Sequence, residues 1–343
     1  MRIALDATYS VDPQPSGIAI YSREILCGLA AAHPEVPFVH CYRPKQFRRV
    51  RSSPFPNVRR RLLQPPLPTF RADLFHALNQ RLDTRLAART ITTFHDLFVM
   101  TGVYSSPEFR SRFAEHARRA AGNSDLIITV SEFTANQVSS LLGFDRSRIR
   151  VVPHGVHAPQ VAPSAKREKS ILFVGALQVR KNVAALVEAF EELPEGWRLV
   201  LAGAPAGYGS ADILKRIEQS RCRERIEVTG YVSPEQLQQL YGQASIFAFP
   251  SLDEGFGIPV LEAMAYGVPV VTSNGSALVE VAGDAALLIN PRSKDQIAGA
   301  LLRLIGNPDL CAELADRGRR RVKEFSWERS VRETFKVYSE LAS

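Results

Sequence analysis

The sequence predicts an α/β protein made of two Rossmann-like domains, each a doubly wound parallel sheet. Short, continuously apolar runs alternate with amphipathic stretches along the chain. Strands that are apolar on both faces are typical of parallel sheets covered by helices on each side. The alternation occurs twice, before and after a proline-containing segment that has no periodicity. A length of 343 residues also suits two domains better than one.

The strands are predicted from short apolar runs rich in β-branched and aromatic residues. Six runs precede the interruption and six follow it. In chain order they are Ile3–Leu5, Phe38–Tyr42, Leu74–His76, Thr90–Phe94, Leu126–Val130, Ile149–Val152, Ser170–Val174, Arg198–Ala202, Ile226–Thr229, Ile246–Phe249, Val268–Thr272 and Ala286–Ile289.

The amphipathic stretches between these strands predict helices and a domain boundary. The main helices are predicted at Tyr21–Ala32, Pro107–Ala121, Ala184–Leu193, Ala211–Arg221, Pro234–Gly242 and Lys294–Ile305. Two prolines and clustered charge make residues 157–169 a predicted linker, so we divide the chain into domains 1–162 and 163–326. Ser326 is a candidate N-cap for a last helix, 327–343, which in proteins of this type can complete the first domain.

Composition excludes several classes of protein. With 45% hydrophobic and 23% charged residues, the chain is not of the disordered class. No apolar run approaches the ~18 residues of a membrane-spanning helix, and no charged-then-apolar leader is visible, so we expect neither a span nor a signal peptide. The four cysteines are scattered without a CxxC pair, which argues against zinc and disulfides. We therefore expect a cytoplasmic protein.

The net charge of +8 is concentrated in the first half of the chain. Residues 1–160 carry 21 basic and 12 acidic side chains, and the stretch 43–61, which we call the basic stretch, contains no acid. Such a patch attracts lipid headgroups, a phosphorylated substrate or nucleic acid, unless it is simply a solvated loop. Because no aromatic stacking platform accompanies it, we do not expect nucleic acid. Peripheral association with the inner, anionic face of a membrane is the functional alternative.

The most informative motif surrounds a predicted helix start between Glu254 and Glu262. Glu254 lies before the helix and Glu262 inside it, roughly 12 Å apart at helical rise. That spacing is too long for a metal pair but suits a grip on two ends of an extended ligand. The helix N-terminus directs backbone N–H groups of Phe256, Gly257 and Ile258 toward hydroxyl or phosphate oxygens.

A second motif follows the first strand of the second domain. The strand runs into Gly175, and the adjacent cations Arg180 and Lys181 stand at the start of the next helix. Cations are unfavourable at a helix N-terminus unless they serve an anion, and two of them suit a departing diphosphate. The sequence therefore predicts a diphosphate site here.

Two further candidates come from the first domain. His95 directly follows a strand, at the carboxyl end where open parallel sheets bind ligands. Gly17 follows the first strand and its loop, and its lack of a Cβ would let the backbone approach a phosphate. His154 and His157 lack a third ligand at plausible spacing, so we predict no metal site.

In their order along the chain, these motifs resemble the retaining nucleotide-sugar glycosyltransferases of GT-B fold, group 1 or family 4. The most specific element, Glu254-Gly-Phe-Gly-Ile-Pro-Val-Leu-Glu262, is similar to the E-x7-E motif of that family. The segments 16–18, 94–97, 130–133 and 152–156 add to a resemblance that spans essentially the whole chain. It implies two Rossmann-like domains facing across a cleft, the first for the acceptor and the second for the donor.

The resemblance also implies roles for these residues. Glu254 would contact hydroxyls of the donor sugar, with the N–H groups of residues 256–258, and Glu262 would bind the ribose. Arg180 and Lys181 would hold the diphosphate as leaving group, in the place that Mg²⁺ takes elsewhere, so no metal or other cofactor is expected. His95 would lie against the transferred sugar.

Three more positions of the donor site are implied in the same way. Gly17 would approach the phosphates, although Ser16 and Ala19 flank it where the family is commonly richer in glycine. Gly175 begins the diphosphate loop. The loop 230–233, with Val232, is placed like the turn that recognises the base.

The activity that the resemblance implies is transfer of a hexose, with mannose from GDP-mannose favoured, to a polysaccharide or lipid-linked glycan. Since no second carboxylate is convincingly placed beside Glu254, we expect the leaving diphosphate itself to help deprotonate the acceptor. A nucleotide-sugar 2-epimerase of the same fold is an alternative. A non-catalytic sugar-nucleotide binding protein is another.

Overall fold

The computed structural model describes residues 1–12, 16–50, 53–65, 70–159 and 167–342. The chain forms two compact units. Unit 1 consists of Met1–Thr101, Pro107–Gly155 and Ser326–Ser343, and unit 2 of Gly102–Ser106 and Val156–Phe325. The predicted boundary at residue 162 lies outside the described residues.

Unit 1 is built on a sheet of seven parallel strands in the order β3-β2-β1-β4-β5-β6-β7. Its strands β1, β2, β4 and β6 are buried along their whole length, as expected for a sheet that helices cover on both faces. The strands are β1 Ile3–Asp6, β2 Phe38–Tyr42, β3 Val58–Leu62, β4 Leu74–Ala77, β5 Arg89–Phe94, β6 Leu126–Thr129 and β7 Ile149–Val151.

Strand β3 was not among the predicted strands. It pairs in parallel with β2 at the edge of the sheet and carries three exposed arginines, Arg59, Arg60 and Arg61. An edge strand has only one neighbour, and its solvated arginines replace the apolar run that marks a buried strand. The interpretation of the basic stretch as a solvated loop is therefore wrong for these residues.

Unit 2 contains a sheet of six parallel strands in the order β10-β9-β8-β11-β12-β13. All twelve predicted strands are found, with ends that differ by a few residues. The prediction of two doubly wound α/β sheets is confirmed. The strands are β8 Glu168–Val174, β9 Arg198–Ala202, β10 Ile226–Gly230, β11 Ala244–Phe249, β12 Val270–Ser273 and β13 Ala286–Ile289.

The helices connect and cover the strands. α5 begins after its N-cap Ser131, whose side chain accepts from the Thr134 N–H. α12 was not predicted, because it buries only a narrow stripe of small and apolar side chains. The helices are α1 Gly17–Ala32, α2 Pro44–Phe47, α3 Phe98–Thr101, α4 Pro107–Gly122, α5 Glu132–Leu142, α6 Val183–Phe190, α7 Ser210–Glu218, α8 Pro234–Gln243, α9 Ile258–Ala265, α10 Leu278–Ala282, α11 Lys294–Ile305, α12 Pro308–Val322 and α13 Trp327–Ala342.

The last helix, α13, belongs to unit 1 and packs against α1. Its Trp327, Val331 and Tyr338 join the buried cluster on that face of the sheet. The two helices approach so closely at Gly28 that a Cβ there would lie 2.4 Å from the Val331 side chain. In the described ranges, no helix combines the length and the apolar character that crossing a membrane would require.

Candidate functional site

In unit 2, a glycine directly follows each of the neighbouring strands β8 and β9, and the backbones of the two loops touch there. Gly175 (φ +151°) donates its N–H to the Ala202 carbonyl over 2.9 Å. Gly203, directly after β9, has φ +155°, and a Cβ there would lie 2.1 Å from the Gly175 carbonyl oxygen. Both positions therefore require glycine, although the sequence pattern singled out only Gly175. The loop that follows Gly175 leads to the predicted cations.

Arg180 and Lys181 end a short 3₁₀ helix between β8 and α6, and both side chains turn into unit 2. They are 7% and 9% exposed, and Glu254, which is 7% exposed, lies between them. Arg180 Nη1 is 2.7 Å from Glu254 Oε2, and Lys181 Nζ is 2.6 Å from Glu254 Oε1. The fold thus brings three of the predicted residues into direct contact. We call Arg180, Lys181 and Glu254 the ion cluster.

Neighbouring polar groups hold the ion cluster in place. Ser251 donates its hydroxyl to Glu254 Oε1 over 2.6 Å, and Arg180 donates to the Asp253 carbonyl. Asn182 has a left-handed backbone (φ 57°) and donates to the carbonyls of Pro250 and Pro291. The bonds of Arg180 and Asn182 tie the loop after β8 to the loops after β11 and β13. Sequence reasoning missed Ser251 and Asn182, whose only signal is that they adjoin the two motifs.

The charges of the ion cluster stabilise one another. Burial by itself would raise the pKa of Glu254, but Coulombic attraction to Arg180 and Lys181 outweighs it and holds the pKa at about 2, below the usual 4.5. Glu254 is therefore a carboxylate at physiological pH. A fixed carboxylate and two fixed cations in a water-poor environment can orient hydroxyls and counter a diphosphate.

Glu262 lies on α9 in a different environment. Its Oε2 accepts a hydrogen bond from the Tyr241 hydroxyl at 2.8 Å. Burial raises the pKa of Glu262, whereas at Glu254 the attraction to two cations outweighs the effect of burial. The two glutamates therefore have separate surroundings, and their predicted grip on two parts of a ligand stays a prediction.

The remaining predicted positions of unit 2 surround the start of α9 and the loop after β10. Gly257 is the N-cap of α9, with φ +115°, and Ile258 is the first residue of the helix. Phe256 is buried, with its ring edge against Phe325. Val232 is half-buried in the loop between β10 and α8.

In unit 1, His95 follows β5 directly and is 6% exposed. Its Nε2 lies 2.9 Å from the Leu78 carbonyl oxygen. Since a carbonyl only accepts, Nε2 carries the hydrogen and Nδ1 of the neutral ring is an acceptor. Burial lowers the pKa of His95 to about 4, so the ring is neutral at physiological pH.

His95 lies in a group of buried rings that sequence reasoning did not assemble. It stacks on His154 with ring centroids 5.4 Å apart, and Tyr21 stands edge-on to both. Burial also lowers the pKa of His154. The sequence predicts no metal site at His154 and His157, because a third ligand at plausible spacing is lacking. The position of His154 beside His95 comes from the fold.

A third histidine of unit 1 links the sheet to the last helix. His76 Nδ1 is 2.6 Å from the Tyr338 hydroxyl, and His76 Nε2 is 2.8 Å from Thr93 Oγ1. The Tyr21 hydroxyl lies 3.0 Å from the same Thr93 oxygen. Burial lowers the pKa of His76 to about 3. We call His76, His95 and His154 the imidazole cluster.

Gly17 is exposed and begins α1. Ser16 is the N-cap of that helix, and its hydroxyl accepts from the Ala19 N–H at 3.4 Å. This gives Ser16 a structural purpose at a position where the family is commonly richer in glycine. The preceding residues 13–15 lie outside the described residues.

Two family models match nearly the whole chain between them. A model described as glycosyl transferases group 1 matches residues 158–321. A model described as glycosyltransferase family 4 matches residues 15–158.

Individual proteins agree with these matches. The chain is 33% identical over 300 residues to O-antigen chain mannosyltransferase B of Escherichia coli. That alignment covers 81% of this chain and 78% of the relative. It is 31% identical over 232 residues to MMP alpha-(1->4)-mannosyltransferase of Mycolicibacterium hassiacum. That alignment covers 66% of this chain and 56% of the relative. The solved sucrose-phosphate synthase of Thermosynechococcus elongatus has a TM-score of 0.81, 22% identity and full coverage of both chains. That likeness concerns the fold, and it confirms the predicted fold class.

Proposed function

The chain belongs to the group 1, family 4 glycosyltransferases, and from that premise we propose that it transfers mannose from GDP-mannose with retention of configuration. The acceptor in this proposal is a polysaccharide or a lipid-linked glycan, and the reaction needs no metal. Both relatives described above are named mannosyltransferases, and one of them acts on an O-antigen chain.

The observation that carries the proposal is the ion cluster. Two cations and one carboxylate from separate loops are buried and in contact at the carboxyl ends of β8 and β11. In an ion pair on the surface, the side chains would be mobile and salt would screen their charges. The charged groups of the ion cluster are buried, so they are fixed before any ligand arrives. Preorganised charge of this kind is the main means by which enzymes stabilise a departing diphosphate.

In the proposed reaction, the bond between the anomeric carbon and the phosphate oxygen breaks, and GDP leaves. A bond forms between that carbon and the acceptor hydroxyl oxygen on the same face of the sugar, and the hydroxyl proton passes to the leaving diphosphate. Arg180 and Lys181 counter the charge that develops on the diphosphate, and Glu254 accepts hydrogen bonds from sugar hydroxyls. Catalysis then depends on position and charge rather than on a covalent intermediate.

The other predicted residues have binding roles in this proposal. Glu262 holds the ribose, Val232 contacts the base, and Gly17 contacts a phosphate. His95 contacts the transferred sugar through Nδ1, the nitrogen that its bond to Leu78 leaves as an acceptor.

Donor choice is tested with a thermal-shift panel of GDP-, UDP- and ADP-sugars. A ligand that binds the native protein raises the melting temperature according to its affinity, so GDP-mannose should raise it most. A larger shift with a UDP- or ADP-sugar would overturn the choice of donor while leaving the reaction class intact.

Reaction class is tested by NMR analysis of the products. Transfer to an acceptor with the anomeric configuration of the donor supports a retaining transferase, and an epimerised nucleotide sugar would identify the epimerase. Tight binding without hydrolysis or transfer would identify a non-catalytic binding protein. Activity that persists in excess chelator supports the metal-independent mechanism.

The basic stretch completes the proposal. We assign it peripheral association with an anionic membrane face, because it carries cations without a single acid and part of it is an exposed edge strand. Binding to vesicles that contain anionic lipid should weaken as salt rises. Salt-insensitive binding would contradict this electrostatic account.

A further inference from the structure

Unit 1 contains a cavity of about 310 Å³ that the sequence analysis did not anticipate. It lies between α1, β2 and β3, and part of the segment before β3 lines it. Leu26, Tyr42, Val50, Phe55 and Val58 supply apolar wall. A volume of this order is at the lower end of what small-molecule sites in proteins occupy.

Three arginines line the same cavity: Arg23, Arg49 and Arg60. All three are exposed, and none of the described residues that line the cavity is acidic. Arg60 is held in position because its guanidinium lies 5.0 Å from the centre of the Phe47 ring and donates to the Val50 carbonyl. Arg23 donates to the Ser10 carbonyl over 3.4 Å.

His40 gives the second, independent sign of a ligand. It lines the cavity and is 6% exposed, and its Nε2 is buried with no hydrogen-bond partner among the described residues. A buried nitrogen without a partner is costly, which a ligand that supplies one would relieve. His40 is directly opposite Arg60 in the β2–β3 register, so both side chains share one face of the sheet.

We propose that this cavity binds a phosphate ester attached to an apolar chain. The phosphate is held by Arg23, Arg49 and Arg60 and accepts a hydrogen bond from His40 Nε2–H, while the first part of the apolar chain lies along the Leu26 and Val58 wall. Guanidinium groups pair with phosphate oxygens in a fork geometry, and the absence of acids from the described lining favours an anion.

This inference deepens the membrane association proposed for the basic stretch and rests on it. It turns a diffuse attraction into a discrete site with a defined set of side chains. The donor chemistry of the ion cluster is not involved, so the two proposals can fail separately.

The chain contains matched controls for the test. In β3, Arg60 faces the cavity with His40, whereas Arg59 and Arg61 pair with Val39 and Cys41 on the opposite face. Arg60→Gln, Arg59→Gln and Arg61→Gln each remove one positive charge from the same exposed strand. A diffuse basic surface responds equally to the three variants, and a discrete site responds only to Arg60→Gln.

The probes are soluble dihexanoyl phosphatidic acid, the matching phosphatidylcholine and inorganic phosphate, each titrated calorimetrically into the full chain. We expect phosphatidic acid to bind more tightly than either of the others. Arg60→Gln should weaken that binding about tenfold, and the two control variants should change it less than about twofold. Equal weakening by all three variants, or no measurable binding of phosphatidic acid, would overturn the discrete site. Equal affinity for inorganic phosphate would overturn the role of the apolar wall.

His40 provides a second readout that does not depend on the arginines. Binding of phosphatidic acid should shift the imidazole NMR signals of His40 and raise its pKa, which burial now holds at about 4. His40→Phe keeps the ring volume and should weaken phosphatidic acid binding by a similar factor. Unshifted His40 signals at saturating lipid would contradict the site, and hydrolysis of the donor should stay unchanged in every variant.

Discussion

Both units bury polar side chains near the carboxyl ends of their parallel strands, but the two sets differ in charge. In unit 1 the imidazole cluster is neutral, since burial lowers the pKa of each ring. In unit 2 the ion cluster stays charged, because Glu254 lies within 2.7 Å of both Arg180 and Lys181. The same position in two similar sheets therefore supports two kinds of chemistry.

The difference shows what each environment can do. Neutral rings that stack and share hydroxyl partners can recognise a neutral ligand such as a sugar without a large desolvation cost. Fixed charges can counter a diphosphate as its negative charge grows. This contrast supports the proposal that unit 2 carries the donor phosphate chemistry and that His95 of unit 1 contacts the sugar.

The largest expected effect comes from removing the carboxylate of the ion cluster. Glu254→Gln leaves two buried cations without their carboxylate and should lower the free energy of unfolding by ~3–5 kcal/mol. Glu262→Gln is the matched control, since the amide oxygen can still accept from Tyr241, and it should cost less than ~1 kcal/mol. Urea unfolding followed by fluorescence of Trp197, in a Trp327→Phe background, reports unit 2. If both variants lost the same free energy of unfolding, the ion cluster would contribute no more to the stability of unit 2 than the Glu262–Tyr241 hydrogen bond.

The next effect is on turnover. Arg180→Ala should lower kcat by ~10²–10³ with unchanged secondary structure, because one group that counters the leaving charge is missing. Lys181→Ala should act in the same way. Arg216→Ala, which removes a partly exposed cation paired with Glu191 on the same unit, should leave kcat unchanged. Steady-state release of GDP measures all three, and an unchanged kcat in Arg180→Ala would refute the charge-countering role.

Acid should destabilise unit 1 first. Burial lowers the pKa of His95 from 6.5 to about 4, so the unfolded chain takes up a proton that the folded unit resists. The stability due to the neutral ring is complete above pH 6.5 and is lost as the pH falls toward 4, by ~3 kcal/mol for this residue. Burial raises the pKa of Asp6, which offsets part of the loss. Fluorescence of Trp327 in a Trp197→Phe background should follow this loss in urea titrations at several pH values.

The ion cluster should titrate in a lower range. Because the pKa of Glu254 is lowered from 4.5 to about 2, its contribution is complete above pH 4.5 and is lost as the pH falls toward 2. The Trp197 transition should therefore hold its position between pH 6.5 and 4.5 better than the Trp327 transition. The reverse order would contradict the contrast between the two clusters.

The smallest effect concerns the link between His76 and the last helix. Tyr338→Phe removes the hydroxyl that lies 2.6 Å from His76 Nδ1 and should cost ~1 kcal/mol of unfolding free energy. The Trp327 transition should move and the Trp197 transition should not. Phe335→Leu on the same helix is a comparison that leaves the His76 bond intact. A Tyr338→Phe variant as stable as the parent would show that this bond adds nothing to unit 1.

Much of the fold could be predicted because buried parallel strands carry continuous apolar runs. That signal is local, so all twelve predicted strands are found. The edge strand β3 lacks it, since solvated arginines take the place of apolar side chains. The candidate site was predicted in part for the same reason: Gly175, Arg180, Lys181 and Glu254 stand in short motifs directly after strands.

By itself, the sequence determined the fold class, the motifs and the residue types available for binding a diphosphate. Only the tertiary structure decided which of these side chains meet. Arg180 and Glu254 are 74 positions apart in the chain, yet the adjacent strands β8 and β11 place them 2.7 Å apart. His76 reaches Tyr338 and His40 is opposite Arg60 through the same kind of long-range packing. Local patterns encode periodicity and turns, whereas contacts between distant residues depend on strand order and register, which no short stretch of sequence contains.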